Sequence, residues 1–206
     1  MGETLGNQSP NTNGELPLLF RYGRATSKPR RMGKKNMTRD QRAVAIGAAS
    51  GVASMLVLVW GLTKFIAPPA IADTSADRLA YGLHWAILPA LVFFVMVAAV
   101  GNARFSSEAI DPTRGKESQK MVVDGRVADN TLQQLVLFMI GMLALSISLP
   151  LGRLSIIAAV SITFVIVRIA FWIGYRIKPV YRAFGFSSTA YMNLGMLVAS
   201  LWLWIR

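Results

Sequence analysis

The chain has 206 residues, 53% of them hydrophobic, with a formal net charge of +12 and no cysteine. Without cysteine there are no disulfides, thiol nucleophiles or Cys-based metal sites, so any sulfur chemistry has to arrive with a ligand. The apolar residues are gathered into five long runs. So short a chain has too little interior to hide five such helices, which excludes a soluble protein.

Residues 1–42 are rich in Asn, Ser, Thr, Pro and Gly and end in a basic cluster, Lys28, Arg30, Arg31, Lys34, Lys35, Arg39 and Arg42. Nine Lys or Arg against three acids supply half of the net charge. This composition cannot bury a core and predicts a disordered tail. It is not a signal peptide, because the apolar run behind it is too long and lacks a small-residue cleavage site. "MGETLG" has Gly6 where a myristoylation signal wants Ser or Thr. A basic cluster beside a membrane span sets topology or touches anionic lipid, which is preferred here to nucleic-acid binding.

The runs at 43–66, 79–101, 135–149, 154–175 and 188–205 approach or exceed the roughly 20 residues a helix needs to cross a bilayer core. The third is shortest and gains length if its helix begins back at Val127. The expectation is an all-α, multi-pass membrane protein with one domain of five transmembrane helices: the tail, a first helix at 43–66 and a four-helix bundle at 79–206. "GAASG" at 47–51 has the small-xxx-small spacing that lets membrane helices pack closely. The basic tail predicts a cytoplasmic N-terminus and, with five spans, a C-terminus on the far side. The polar connections 102–134 and "YRIKPVYR" then share the cytoplasmic face, and Trp202 and Trp204 form an interfacial anchor.

Polar residues enter the apolar runs at two places. In "RVADNTLQQ", Arg126, Asn130 and Gln133 fall on one helical face leading into span three. They form either an ordinary helix entrance, with Asn130 and Thr131 capping the backbone and Arg126 at lipid headgroups, or one wall of a site. In "RIAFWIGYRIKPVYR", Arg168 lies inside span four, Tyr175 follows on the same face and Arg182 repeats the interval, unless Pro179 breaks the helix first. Arg168 either snorkels or has partners. Arg104, at the end of span two, reaches the same membrane face, so Arg104, Arg126, Arg168 and Arg182 can meet Asn130, Gln133 and Tyr175 in one cleft suited to an anion. His84, the single histidine, lies toward the other face, and no metal site is expected.

These residues resemble the MAPEG superfamily, membrane-associated proteins in eicosanoid and glutathione metabolism. "RVADNTLQQ" is similar to that family's R-x-x-x-N-x-x-E signature, "RIAFWIGYRIKPVYRAFGF" to its third helix and following loop, and "GNARF" to the end of its first helix. The resemblance implies a four-helix protomer, here with one extra N-terminal helix, assembling as a homotrimer that binds glutathione between protomers near the cytoplasmic face. It places Arg104, Arg126, Asn130, Tyr175 and Arg182 among the glutathione contacts, with Arg182 the thiolate-stabilising, catalytic arginine, Gln133 at the signature's glutamate and Arg168 one stripe earlier. Phe171 stands where relatives often have Tyr or His, and Ala183 and Phe186 where one branch has polar residues.

Two functions are implied. One is a glutathione-dependent transferase or peroxidase acting on lipophilic electrophiles from the bilayer, in a bacterial inner membrane or a eukaryotic endomembrane. The other is a non-catalytic membrane scaffold or regulator, which Gln133 and the basic tail favour; the extra span and Gln133 are similar to the branch containing transmembrane protein 79. Membrane lipids are expected contacts of either.

Overall fold

The computed structural model describes residues 37–71 and 73–206. Five α-helices run in chain order: α1 (Arg39–Phe65), α2 (Ser75–Phe105), α3 (Gln119–Ser148), α4 (Ser155–Ile177) and α5 (Arg182–Trp204). Short 3-10 turns link them, and there is no strand among the described residues. Most of the expected tail, 1–36, lies outside the described residues. Arg39 and Arg42, grouped with that tail on composition, are already helical. A capping box sets this start: Thr38 Oγ1 accepts from the Gln41 amide at 3.2 Å and Gln41 Oε1 accepts from the Thr38 amide at 2.9 Å.

Helix α3 also begins earlier than the apolar pattern indicates. Ser118 Oγ caps it by accepting from the Met121 amide at 3.3 Å, so the helix runs from Gln119 through the whole polar stretch. Asn130 and Thr131 therefore sit in mid-helix, which removes the reading in which they cap its entrance. The connection from α2 shrinks from the expected 102–134 to residues 106–118.

Four helices, α1 to α4, are long and apolar enough to cross a bilayer. Helix α5 has 23 residues, about 35 Å at 1.5 Å per residue, which is sufficient length. It misses the apolar standard because it carries Ser187, Ser188, Thr189 and Asn193, all buried. These side chains are paired inside the bundle. Ser187 Oγ donates to the Ala48 carbonyl at 3.0 Å and Ser188 Oγ to the Gly51 carbonyl at 2.9 Å. Asn193 Nδ2 donates to the carbonyl and Oε1 of Gln134, both at 2.9 Å. Interhelical hydrogen bonds of this kind hold membrane helices together where lipid supplies no hydrophobic drive.

Helix α4 is central and touches the other four, α2 packs on α3, and α1 lies along α5. Phe138 and Phe164, ring centroids 4.7 Å apart, anchor one apolar cluster with Met142, Ile157 and Met196. A second cluster, Met96, Val123, Val127, Phe171 and Tyr175, backs the site described next. The α1–α5 contact depends on small residues. A Cβ on Gly51 would overlap the Phe184 carbonyl, and one on Gly47 would lie 3.4 Å from Ala183 Cβ. "GAASG" is thus the contact that seats the extra helix.

Candidate functional site

The polar stretch of α3, the last turns of α4 and the first turns of α5 meet at one end of the bundle around a cavity of about 570 Å³. That lies within the roughly 300–1,000 Å³ of small-molecule sites. Its lining includes Arg126 and Asn130 from α3, Tyr175 from α4 and Arg182 from α5. Four of the seven residues singled out in the sequence therefore converge on one space, which holds two guanidinium groups and no acid. Its field is positive and suits an anion.

Each side chain has a local reason for its place. Pro179 ends α4 at Ile177 and opens the 3-10 turn Pro179–Tyr181, so Arg182 does not continue the α4 stripe. The turn folds it back instead: Arg182 Nη1 donates to Tyr175 Oη at 3.2 Å, and its guanidinium lies 5.2 Å from that ring. Tyr175 keeps its own hydroxyl proton for a ligand. Its ring is held edge-on to Phe171 at 5.9 Å and is buried.

Arg168 is fully buried and lies behind the cavity wall, not in it. Nη1 donates to Asn130 Oδ1 at 3.0 Å and to Thr131 Oγ1 at 3.5 Å. Nη2 donates to the Gly185 carbonyl at 3.2 Å and to Thr189 Oγ1. The guanidinium also sits 4.4 Å from the Phe171 ring. Snorkelling is excluded, because the side chain ties α3, α4 and α5 together. An arginine only donates, so Asn130 must present its oxygen to Arg168, which leaves its amide NH₂ as the donor available to the cavity. Arg168 thus acts on the site through Asn130.

Two sequence candidates lie apart from the cavity within one chain. Arg104 is paired with Glu117 in the connection after α2. Gln133 is exposed on α3, about 4.5 Å further along the axis than Asn130, and does not line the cavity. Phe171, Ala183 and Phe186 line the cavity with Val180 and, from α1, Val44. The rest of the lining is thus apolar.

A neighbouring cluster escaped the sequence reading. Asp124, buried on α3, accepts from Arg176 Nε at 2.7 Å and Nη2 at 2.6 Å, and from Trp172 Nε1 at 2.8 Å. The Arg176 guanidinium stacks 4.6 Å from the Trp172 ring. The clamp locks α3 to α4 next to the cavity. Its one legible trace was Trp172 and Arg176 four residues apart on one helical face. The Asp124 partner is 48 residues from Trp172 and had no local signal.

Residues 82–202, more than half of the chain, match the MAPEG family. The chain is 23% identical over 163 residues to mouse transmembrane protein 79, covering 77% of this chain and 41% of that protein, so it spans about two fifths of the relative's length. No solved structure matches. The matched segment holds α3, α4, most of α2 and nearly all of α5, the four helices of the expected bundle, and with it Arg104, Arg126, Asn130, Arg168, Tyr175 and Arg182. The chain belongs to the MAPEG family, with α1 added in front of the family's four-helix bundle.

Proposed function

We propose that this membrane protein binds glutathione in the cavity of Arg126, Asn130, Tyr175 and Arg182 and transfers it to lipophilic electrophiles, or uses it to reduce lipophilic peroxides, at the cytoplasmic face. The supporting observation is the convergence of those four donors, from three helices, on one acid-free cavity. Two guanidinium groups, an amide and a phenol match the two carboxylates and the thiolate of glutathione. The fit is good on the anionic side. For the ligand's ammonium group the lining offers no carboxylate, since the signature's glutamate is Gln133 and lies outside.

Arg126 and the Asn130 amide hold carboxylate, and Arg182 faces the sulfur. A guanidinium beside a thiol of ordinary pKa about 8.5 favours the thiolate, and each unit of lowering corresponds to about 1.4 kcal/mol. The thiolate forms a C–S bond while the leaving group departs with its electron pair. On a peroxide it takes the outer oxygen as sulfenic acid and an alcohol leaves; a second glutathione then closes the disulfide and releases water. We further propose a homotrimer. Arg126, Asp129 and Gln133 are exposed on α3 beside exposed Leu132, Val136 and Ile140, and polar groups facing lipid need partners. A neighbouring protomer supplies them and brings Arg104 and Gln133 toward a shared site.

The test is a glutathione titration of the detergent-purified protein, with mass measurement in the same mild detergent. Binding is expected, with ultraviolet thiolate absorbance at neutral pH. Arg126→Ala should weaken binding, whereas Arg182→Ala should mainly remove the thiolate signal and slow turnover. Absence of binding at millimolar glutathione overturns the reading, and identical behaviour of the two variants overturns the division of roles. The apolar lining by Phe171, Ala183 and Phe186, with Gln133 outside, favours a second reading, a non-catalytic scaffold or regulator that keeps the fold. Gain of affinity in Gln133→Glu would identify that position as the point of divergence.

A further inference from the structure

The cavity has one wall that the family's bundle does not supply. Val44, on α1, lines it together with Phe171, Ala183 and Phe186. One turn further along, α1 is seated on α5 by Gly47 against Ala183, by Gly51 against the Phe184 carbonyl, and by the Ser187 and Ser188 hydroxyls donating to the Ala48 and Gly51 carbonyls. That contact is close and polar in a region where lipid offers no competing partners, so α1 is fixed there and not loosely adjacent. A helix held so near the cavity determines how wide its apolar side is.

We infer that α1 is a structural wall of the ligand site and that Val44 is its specificity-determining residue, setting the size of the apolar group admitted beside the anion-binding donors. The inference rests on the proposed glutathione site for the identity of the anion, but not for the wall itself. The ligand class that follows is an anion carrying a compact apolar group: the donors take the charged part, and Val44, Phe171 and Phe186 border the rest. Bulk at position 44 shortens the apolar side, and a smaller residue lengthens it.

The chain has no cysteine, so an introduced pair is the sole thiol pair present. Gly47→Cys with Ala183→Cys should cross-link on mild oxidation in membranes, since the 3.4 Å Cβ separation is close to the roughly 3.8 Å mean of disulfides. Two probes then report on the cavity: S-hexylglutathione, and a dansyl-labelled medium-chain fatty acid that owes nothing to glutathione recognition. Val44→Trp should weaken S-hexylglutathione by about tenfold, the scale on which overpacking penalties fall. Ile46→Trp, on an outward position 70% exposed, should leave binding unchanged, and Val44→Ala should shift preference toward longer S-alkyl groups. If wild type binds the fatty acid but not the glutathione conjugate, and Val44→Trp still weakens it, the glutathione reading fails and the wall stands. Failure of the cross-link, or equal binding by wild type and Val44→Trp, overturns the wall and leaves the glutathione reading intact. Binding of neither probe overturns both.

Discussion

Replacing Arg168 by methionine and by lysine should give an order of stability that charge conservation alone would reverse. Arg168 is completely buried, and its fork donates to Asn130 on α3 and to Gly185 and Thr189 on α5. Methionine has similar length and no charge. It leaves the two nearest side-chain acceptors, Asn130 Oδ1 and Thr189 Oγ1, without this donor and removes the long 3.5 Å contact to Thr131 Oγ1, while the Gly185 carbonyl still accepts from Thr189 Oγ1 at 2.9 Å. Two orphaned acceptors at about 1–3 kcal/mol each are partly offset because no charge is buried any longer, so the net loss is about 1–3 kcal/mol. Lysine keeps the buried charge but is a point donor that cannot span α3 and α5 at once, so its loss is about 3–5 kcal/mol. The gap of about 2 kcal/mol corresponds to about 4–8 °C in Tm for a chain of this size. Thermal unfolding in one detergent, followed by tryptophan fluorescence, reads it, with the order wild type, methionine, lysine. Freed from Arg168, the Asn130 amide loses its fixed orientation, so both variants should weaken binding of the proposed glutathione ligand even where the fold survives. A lysine variant as stable as wild type, or more stable than methionine, would refute the bridging role and mean that water reaches the group.

Three further outcomes are expected. Gly51→Ala should destabilise the protein by about 1–3 kcal/mol and abolish the Gly47–Ala183 cross-link, because the added methyl meets the Phe184 backbone, whereas Gly61→Ala, with nothing within 4 Å, should be neutral or slightly stabilising. Asp124→Asn should cost about 1–3 kcal/mol, toward the low end because its partner Arg176 is over a third exposed; unchanged Tm would show the clamp to be incidental. In the exposed turn after α2, the Thr113 hydroxyl at 2.6 Å and the Thr113 amide at 3.0 Å hold the Asp111 carboxyl below the usual carboxylate range. The turn should therefore stay intact above the ordinary carboxylate pKa and loosen only as pH falls through the lowered one, which hydrogen exchange at Thr113 would follow; loss of protection at higher pH than for ordinary carboxylates would reverse the sign.

How much was legible in the sequence follows from how far apart the interacting residues lie. Long apolar runs speak for themselves, because each helix satisfies its own backbone and needs only length to cross lipid, so α1, α2 and α4 were visible within a few residues of their ends. Arg126, Asn130, Tyr175 and Arg182 were legible as a set because their spacing is local and the family pattern repeats it. The start of α3 at Gln119 was not, since polar residues hide a helix whose cap is a single serine. Tertiary structure alone decided which polar groups face the cavity, because one helical turn separates Asn130 inside from Gln133 outside and hydropathy cannot distinguish them. It alone buried Arg168 against acceptors from two neighbouring helices, α3 and α5, found an acid for Arg176, and brought Val44 of the added helix to the lining of the cavity. Those placements depend on contacts between residues far apart in the chain, and in lipid, where apolar faces are nearly interchangeable, small residues and hydrogen bonds choose among the possible helix pairings.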